Sequence, residues 1–503
     1  MNALSAAAPL QGLWQLVHGP LAYWAQHRPD VVALQSEAGS WTFGELHAEV
    51  EQRSARLVAQ RAPQMLLLDA NRSTLERLVD FLSVIHSGRC AAVADPDWQP
   101  AVRQRIESWL PEQPCELDAA APTAAFYTGF TSGSTGLPKG FKRHHLSWTE
   151  SFRVGLQDFG PVVAQRTLAP GRISHSLFLF GAMQGIWYGC GAVMQEKFSA
   201  SRCLAALARG DIPCLVAVPS QLLLMLQWAQ HRQLAPTPEV ELITISGARW
   251  MRAHTPALRA LFPKARIIEF YGASEASFVA WMDADEASGP QAVGRPFSNV
   301  TLSIRPTGSD AAENALAEHD TSHAGDGLIY IRSPMLFMDY VGDAHDATAV
   351  LRDGDWLSVR DMGHIDERGM LCLAGRQSRM LVTQGKNLFP EEVENLLASH
   401  PAIAQVSLHG QADALRGLQV HAVLQWRPQT EAPSALELNQ WLRERTEAFK
   451  VPRQWWICEH WPHTASDKTD HGQLAQALRA SMAGPAGAAI SPAQLPALRP
   501  WQS

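Results

Sequence analysis

Short apolar runs alternate with amphipathic stretches along most of this chain, and that alternation restricts the fold more than any other feature. Residues 65–69, 214–218, 242–245 and 267–270 read as short buried strands, whereas 75–87 and 220–231 carry apolar side chains at helical spacing. Strands separated by helices need crossover connections, so the expected class is α/β: a large N-terminal domain of mixed, largely parallel sheets with helices. In such sheets ligands gather beyond the carboxyl ends of the strands. Residues 308–326 are polar and Ala-rich and 328–332 resume strand alternation, which predicts a surface loop in a smaller β subdomain. Beyond 376–380 an α+β unit is expected, with Pro390, Glu391 and Glu392 opening a helix, strands at 406–408 and 420–426, and a helix over 436–449. The expected domains are 1–376, a small C-terminal domain 377–482, and a mobile Ala- and Pro-rich tail 483–503.

A length of 503 residues exceeds one compact domain, in keeping with that division. Hydrophobic residues make up 46% and charged residues 18%, a balance that excludes a disordered chain. The net charge of −7, without a basic run, argues against nucleic acid as a partner, so any anionic ligand must be held locally. Seven cysteines are scattered with no C-x-x-C pair, which fits reduced thiols in a cytoplasm and no zinc site. Residues 1–19 lack the basic and apolar regions of a signal peptide. Residues 173–195 contain no Asp, Glu, Lys or Arg and would be long enough to span a bilayer. Ser174, His175, Ser176, Gln184 and four glycines in that stretch favour a buried helix beside a pocket, and no integral membrane segment is expected.

Chemistry concentrates in Thr131-Ser132-Gly133-Ser134-Thr135-Gly136-Leu137-Pro138-Lys139-Gly140, which follows the end of a buried strand at 125–128. Glycines let backbone N–H groups turn towards an anion, hydroxyls donate further bonds, and a lysine adds a mobile positive charge. The pattern is not a Walker loop, because Pro138 stands where glycine must precede the lysine. By composition alone, a flexible Gly/Ser surface loop fits as well.

The order T-S-G-S-T-G-L-P-K-G resembles the signature of the adenylate-forming (ANL) superfamily: acyl- and aryl-CoA synthetases, peptide-synthetase adenylation domains and luciferases. Further stretches resemble that family's motifs in its order, from about Trp41 to Leu474. Trp41-Thr42-Phe43-Gly44-Glu45-Leu46 reads as a strand end and a helix capped by Thr42 with Glu45 three residues on. Ser246-Gly247-Ala248 follows a strand, and Glu269-Phe270-Tyr271-Gly272-Ala273-Ser274-Glu275 is similar to Y-G-x-[TS]-E. Taken singly, Tyr271 suits a core and Glu275 a solvated surface. Val293-Gly294-Arg295-Pro296 and 327–334 match mainly structural stretches. Asp361 stands in the family's T-G-D with Arg360 where glycine is usual, and Gly375-Arg376-Gln377-Ser378 fills G-R-x-[DK] with serine at the last place. The 385–394 stretch matches the loop that approaches a thiol acceptor. Pro462-His463-Thr464-Ala465-Ser466-Asp467-Lys468 resembles P-x-T-x-x-G-K with Asp467 for glycine.

The resemblance implies ATP-dependent activation of a carboxylic acid to acyl-AMP with Mg2+, followed by transfer to a thiol, with coenzyme A as the expected co-substrate and an acyl carrier protein as the rival acceptor. A non-catalytic adenylate binder is the alternative if Arg360, Ser378 and Asp467 have removed the chemistry. Lys468 would be the catalytic lysine, Glu275 would hold the metal, and Thr131, Ser132, Gly133, Ser134, Thr135, Gly136 and Lys139 would cradle phosphates. Gly247, Ala248, Glu269, Phe270, Tyr271, Gly272, Ala273 and Ser274 would surround the nucleotide, with Tyr271 on adenine. Asp361 and Arg376 would meet the ribose. His175, Phe178, Trp250 and Gly272 would line the acyl pocket, although His175 fits a core histidine equally well. Gly385 and Lys386 would face the thiol, and Ser378 would be the pivot of a mobile small domain. Residues 174–181 lack the acid that amino-acid-activating relatives place there, and an unpaired buried ammonium would be costly, so a non-amino acid is favoured.

Overall fold

The computed structural model describes residues 14–116, 120–131, 138–289, 291–306, 325–342, 350–383, 386–413, 417–464, 468–483 and 495–501. They divide into two compact units. The first runs through Leu302 and adds Tyr330–Val359 and Glu367–Leu371; the second comprises Ser303–Ile329, Arg360–Asp366 and the residues from Cys372 onward.

In the first unit the described strands include β1 (Val32–Ser36), β2 (Gly39–Thr42), β3 (Met65–Leu68), β4 (Cys90–Val93), β5 (Ala125–Thr131), β6 (Lys139–His144), β7 (Thr167–Ala169), β8 (Ala192–Met194), β9 (Cys214–Ala217), β10 (Leu242–Ile245), β11 (Arg266–Ala273), β12 (Ser277–Asp283) and β13 (Ala292–Pro296). One sheet has the order β13-β12-β11-β10-β9-β7-β8-β1-β2, and a second the order β6-β5-β4-β3 with Tyr340–Val341 beside β6. Pairing is parallel from β11 through β10, β9, β7 and β8 to β1, and antiparallel at β12, β13 and β2. The second sheet is parallel over β3, β4 and β5 and turns antiparallel at β6. β4, β9 and β10 are buried at every residue, which is why they read as continuous apolar runs rather than alternating ones. The mixed, largely parallel α/β expectation is met.

Thr42 opens its helix as expected: the Glu45 N–H donates to Thr42 Oγ1 at 3.2 Å, and the Thr42 N–H donates to Glu45 Oε2 at 2.9 Å. The 173–195 stretch differs from a single buried helix. It forms a helix over Ser176–Trp187 and then strand β8, because Gly189 and Gly191 take φ of 73° and 79° and turn the chain. A Cβ on Gly189 would strike the Trp24 ring and one on Gly191 the Val32 carbonyl, so the turn is packed tightly. No helix among the described residues is long and apolar enough to cross a membrane.

The second unit contains a hairpin of Ile403–Asp413 and Gly417–Trp426, with Gln454–Cys458 parallel to the latter strand. Leu388, Val393, Leu397, Leu438 and Leu442 cover one side with the helices Pro390–Ala398 and Ala435–Arg443. Val423, Trp456 and Leu474 form a second cluster with the helix His471–Ala483. This is the smaller α+β domain the sequence implied. Two details differ from expectation. The helix expected over 436–449 ends at Arg443, past the last buried apolar pair Leu438 and Leu442, and Ala448–Lys450 forms a separate 3-10 turn. Within the segment expected to be a tail, Leu498–Pro500 pairs antiparallel with Gln454–Cys458. Trp501 anchors it by donating its backbone N–H to Trp455 O at 2.8 Å and its indole N–H to Pro433 O at 3.2 Å.

Candidate active site

β5 and β6 form a hairpin in which Thr131 and Lys139 are paired across the strands. Ser132, Gly133, Ser134, Thr135 and Gly136 lie outside the described residues. The phosphate-loop sequence is therefore the connection of a hairpin whose returning strand begins at the lysine.

β9, β10 and β11 run parallel, so their carboxyl ends share one edge of the sheet. Ser246, Gly247 and Ala248 follow β10 on that edge, with Gly247 at φ 86°, a left-handed turn that glycine adopts without strain. Tyr271, Gly272 and Ala273 end β11, and Ser274, Glu275 and Ala276 make the turn into β12, closed by the Ala276 N–H donating to Ala273 O at 3.0 Å. The strands approach so closely at Gly272 that a Cβ there would overlap the Ser277 carbonyl. Tyr271 and Glu275 are partly exposed at this edge. The Glu275 carboxylate accepts from Tyr340 Oη at 2.8 Å, and its backbone carbonyl accepts from the Phe337 N–H at 2.7 Å.

Two residues of the expected nucleotide set face inward. The Trp250 N–H donates to Glu269 Oε1 at 2.9 Å, and burial pushes the Glu269 carboxyl above its ordinary range. Phe270 packs edge-on against Phe278 at 4.9 Å. Both side chains are buried in the first unit. Among the expected acyl-pocket residues, Trp250 is 2% exposed, and its indole N–H donates to Thr255 Oγ1 at 2.9 Å. Phe178 is buried over Gly171, within the first turn of the helix that begins at Ser176, and His175 sits at that helix's N-terminus with its ring 5.4 Å from Phe178. Beside them, Ser174 Oγ donates to Asp95 Oδ2 at 2.7 Å, and the Arg172 guanidinium lies 3.5 Å from Asp95.

Within the second unit, Asp361 and Arg376 come together: Arg376 Nε donates to Asp361 Oδ1 at 3.1 Å. Asp361 is 7% exposed and opens a strand, whereas the Arg376 side chain is largely exposed. Arg360, in the place of a glycine, has φ 63°. Ser378 is exposed in the 3-10 turn Gln377–Arg379. Lys386 begins the strand Lys386–Leu388, with its ammonium 4.8 Å from the Phe449 ring, and Gly385 lies outside the described residues. Lys468 is exposed; its N–H donates to Thr464 Oγ1 at 3.3 Å and its carbonyl accepts from the Thr464 N–H at 2.7 Å, while Asp467 lies outside the described residues.

The donor chemistry suits a magnesium ion shared with a nucleotide. Glu275 offers hard carboxylate oxygen, and the described residues contain no group of three His, Cys, Asp or Glu that would make a self-sufficient cage. Magnesium is held by one or two carboxylates together with substrate phosphates and water. The sequence did not mark Tyr340 or Arg143 for the site. Arg143, on β6, donates to the Ser274 carbonyl at 2.7 Å. Arg143 lies between Lys142 and His144 in a mostly polar strand, so nothing in its local pattern set it apart.

A family model described as AMP-binding enzyme matches residues 58–341, and one described as AMP-binding enzyme C-terminal domain matches residues 392–468. The chain is 33% identical to an uncharacterized acyl-CoA ligase, YhfT, of Bacillus subtilis, over 91% of this chain and 97% of that protein. It is 25% identical to 2-succinylbenzoate-CoA ligase of the same species, over 91% and 97% of the two. Among solved structures, o-succinylbenzoate CoA synthetase from Bacillus subtilis, in complex with its acyl-adenylate, superposes with a TM-score of 0.76 at 22% identity over 90% of this chain and 97% of that one. ATP-bound MatB from Rhodopseudomonas palustris gives 0.75 at 20% identity over 91% and 98%. The chain thus belongs to the AMP-binding enzyme family of the adenylate-forming superfamily.

Proposed function

We propose that this protein joins a carboxylic acid lacking an α-amino group to AMP at the expense of ATP and then passes the acyl group to the thiol of coenzyme A. The observation that carries the reading is the β11–β12 turn, which presents Tyr271, Ser274 and the Glu275 carboxylate together at the carboxyl edge of parallel strands. The family match and relatives named as CoA ligases support it.

A carboxylate is a poor electrophile because attack on it must expel an oxide. In the first step its oxygen bonds to the α-phosphorus of ATP and the bond to pyrophosphate breaks. In the second, the thiol sulfur bonds to the acyl carbon, the C–O bond to AMP breaks, and the thiol proton leaves. Glu275 would hold magnesium, which when bound neutralises charge on the triphosphate. Thr131 and Lys139, flanking the phosphate loop, would contact the departing phosphates. Tyr271 would stack on adenine, Asp361 and Arg376 would receive the ribose, and Lys468 would bridge the carboxylate and α-phosphate as charge develops. Ser174 donates to Asp95, a carboxylate that Arg172 already compensates, which favours substrates without an ammonium group.

Purified protein should catalyse acid-dependent exchange of pyrophosphate into ATP that requires Mg2+. Absence of exchange across a panel of aliphatic and aromatic acids would refute the enzyme. Thioester formation with coenzyme A but not with carrier proteins is the expected second result, and the reverse would reassign the acceptor.

A further inference from the structure

Arg143 is 1% exposed, yet it carries a guanidinium into the interior of the first unit. Burial lowers its pKa to about 10, so it remains charged at neutral pH. Every nitrogen of the fork has a partner. Nε donates to Ser147 Oγ at 3.2 Å, in the first turn of the helix His145–Phe159. Nη1 donates to the Ser274 carbonyl at 2.7 Å, and Nη2 donates to Ser277 Oγ and to the Met335 carbonyl, the latter at 2.6 Å. The same side chain therefore grips the Glu275 turn on both sides, before it at Ser274 and after it at Ser277. It also grips the segment whose Phe337 N–H and Tyr340 hydroxyl donate to Glu275.

This turn needs outside support. Ser277 has φ 59°, a left-handed conformation that a residue with a Cβ rarely adopts. A well-packed apolar side chain could fill the space of an interior arginine without the desolvation penalty of a charge. What an apolar side chain or a lysine cannot supply is a planar fork that reaches several acceptors in fixed directions. Arg143 also lies on the strand that begins at Lys139, so one short strand connects the phosphate-loop lysine to the metal-binding turn.

We propose that Arg143 is a positioning residue that sets the Glu275 carboxylate for its divalent cation. The proposal rests on the reading of Glu275 given under Proposed function. Arg143 does not touch substrate in this scheme; it acts through Ser274, Ser277 and the segment at 335–340.

The test uses the full-length protein and the variants Arg143→Lys, Ser277→Ala and Tyr340→Phe. Mn2+ affinity in the presence of ATP is read by electron paramagnetic resonance, the Mg2+ concentration for half-maximal pyrophosphate exchange is measured beside it, and thermal melting reports folding. Arg143→Lys is expected to weaken Mn2+ binding and to raise the half-maximal Mg2+ at least about tenfold, with the KM for the carboxylic acid unchanged. The effects of Arg143→Lys and Tyr340→Phe should be non-additive, because both act on one carboxylate. A folded Arg143→Lys protein with parental Mn2+ affinity and Mg2+ requirement, even with a lowered melting temperature, would show a merely structural arginine and overturn the proposal. Should Arg143→Lys fail to fold, Ser277→Ala decides, since it retains the charge and the other donations: a Mn2+ affinity shift of about threefold or more supports positioning, and none overturns it. A parent that binds Mn2+ and ATP but shows no exchange would refute the proposed reaction, and the Mn2+ measurements would still decide the role of Arg143.

Discussion

Arg360 departs from the family pattern at a position whose backbone conformation explains why glycine is usual there. Its φ of 63° is a conformation suited to glycine, and holding a side chain there costs about 1–2 kcal/mol. Arg360 Nη1 donates to Gln377 Oε1 and its carbonyl accepts from the Gln377 N–H, each at 2.9 Å, which offsets that strain. The next residue, Asp361, keeps its place against Arg376. Asp361→Ala should raise the KM for ATP roughly tenfold to a hundredfold, the equivalent of about 1.5–3 kcal/mol for a lost hydrogen bond to a charged group, with little change in kcat. Steady-state kinetics with varied ATP checks this, and an unchanged KM would remove Asp361 from the nucleotide's surroundings. Asp361 and Arg376 could be read from the sequence because each sits in a short ordered motif. Arg143 could not, because the groups it binds in the Glu275 turn and at Met335 are 131 to 192 residues away in the chain.

At the scale of elements, the sequence revealed strands and helices whose burial shows in their own periodicity, and it missed those defined by partners. Leu498–Pro500 is a strand because Gln454–Cys458 presents an edge and Trp501 covers it, a cause no local pattern in an Ala- and Pro-rich segment displays. The strand Ile403–Asp413 likewise hides a polar network. Ser407 Oγ lies 2.9 Å from His409 Nε2 and 2.7 Å from His471 Nδ1, while Glu394 accepts from Arg379 Nη2 and from the Leu408 N–H, each at 2.6 Å. Burial, with the nearby Arg379 charge, holds His409 at a pKa of about 3 and His471 at about 4, against the counteracting charge of Glu394. Asp470 also faces His471, and Arg479 faces His409. Both values lie below the ordinary 6.5, so the unfolded chain binds these protons first, and stability present above pH 6.5 is lost as pH falls towards 4 and 3. Thermal melts from pH 7.5 down to about 4 should show this loss, and His471→Gln should make the decline shallower. An identical slope in that variant would remove His471 from the acid sensitivity.

Across the whole molecule, the proposed chemistry draws on residues that belong to different units. Glu275, Tyr271 and the hairpin bearing Lys139 belong to the first, while Asp361, Arg376, Lys386 and Lys468 belong to the second. Within the second unit the two lysines stand on separate segments, Lys386 at the start of a short strand and Lys468 in the loop closed by Thr464. The two half-reactions make different demands. Joining a carboxylate to the α-phosphate brings two anions together, and a lysine there lowers the barrier by matching charge that develops only in that step. Attack of a thiol on acyl-AMP begins from a neutral carbonyl and an AMP leaving group that is already formed, so the same lysine is not required. Lys468→Ala should therefore reduce acid-dependent pyrophosphate exchange by roughly 100-fold or more, yet leave thioester formation from supplied acyl-AMP and coenzyme A within a few-fold of the parent. Because Lys468 is exposed, its removal opens no cavity, and an unchanged melting transition should accompany the loss. Equal losses in both half-reactions would mean that Lys468 serves a step common to both, and the division of labour between the two lysine-bearing segments would have to be abandoned.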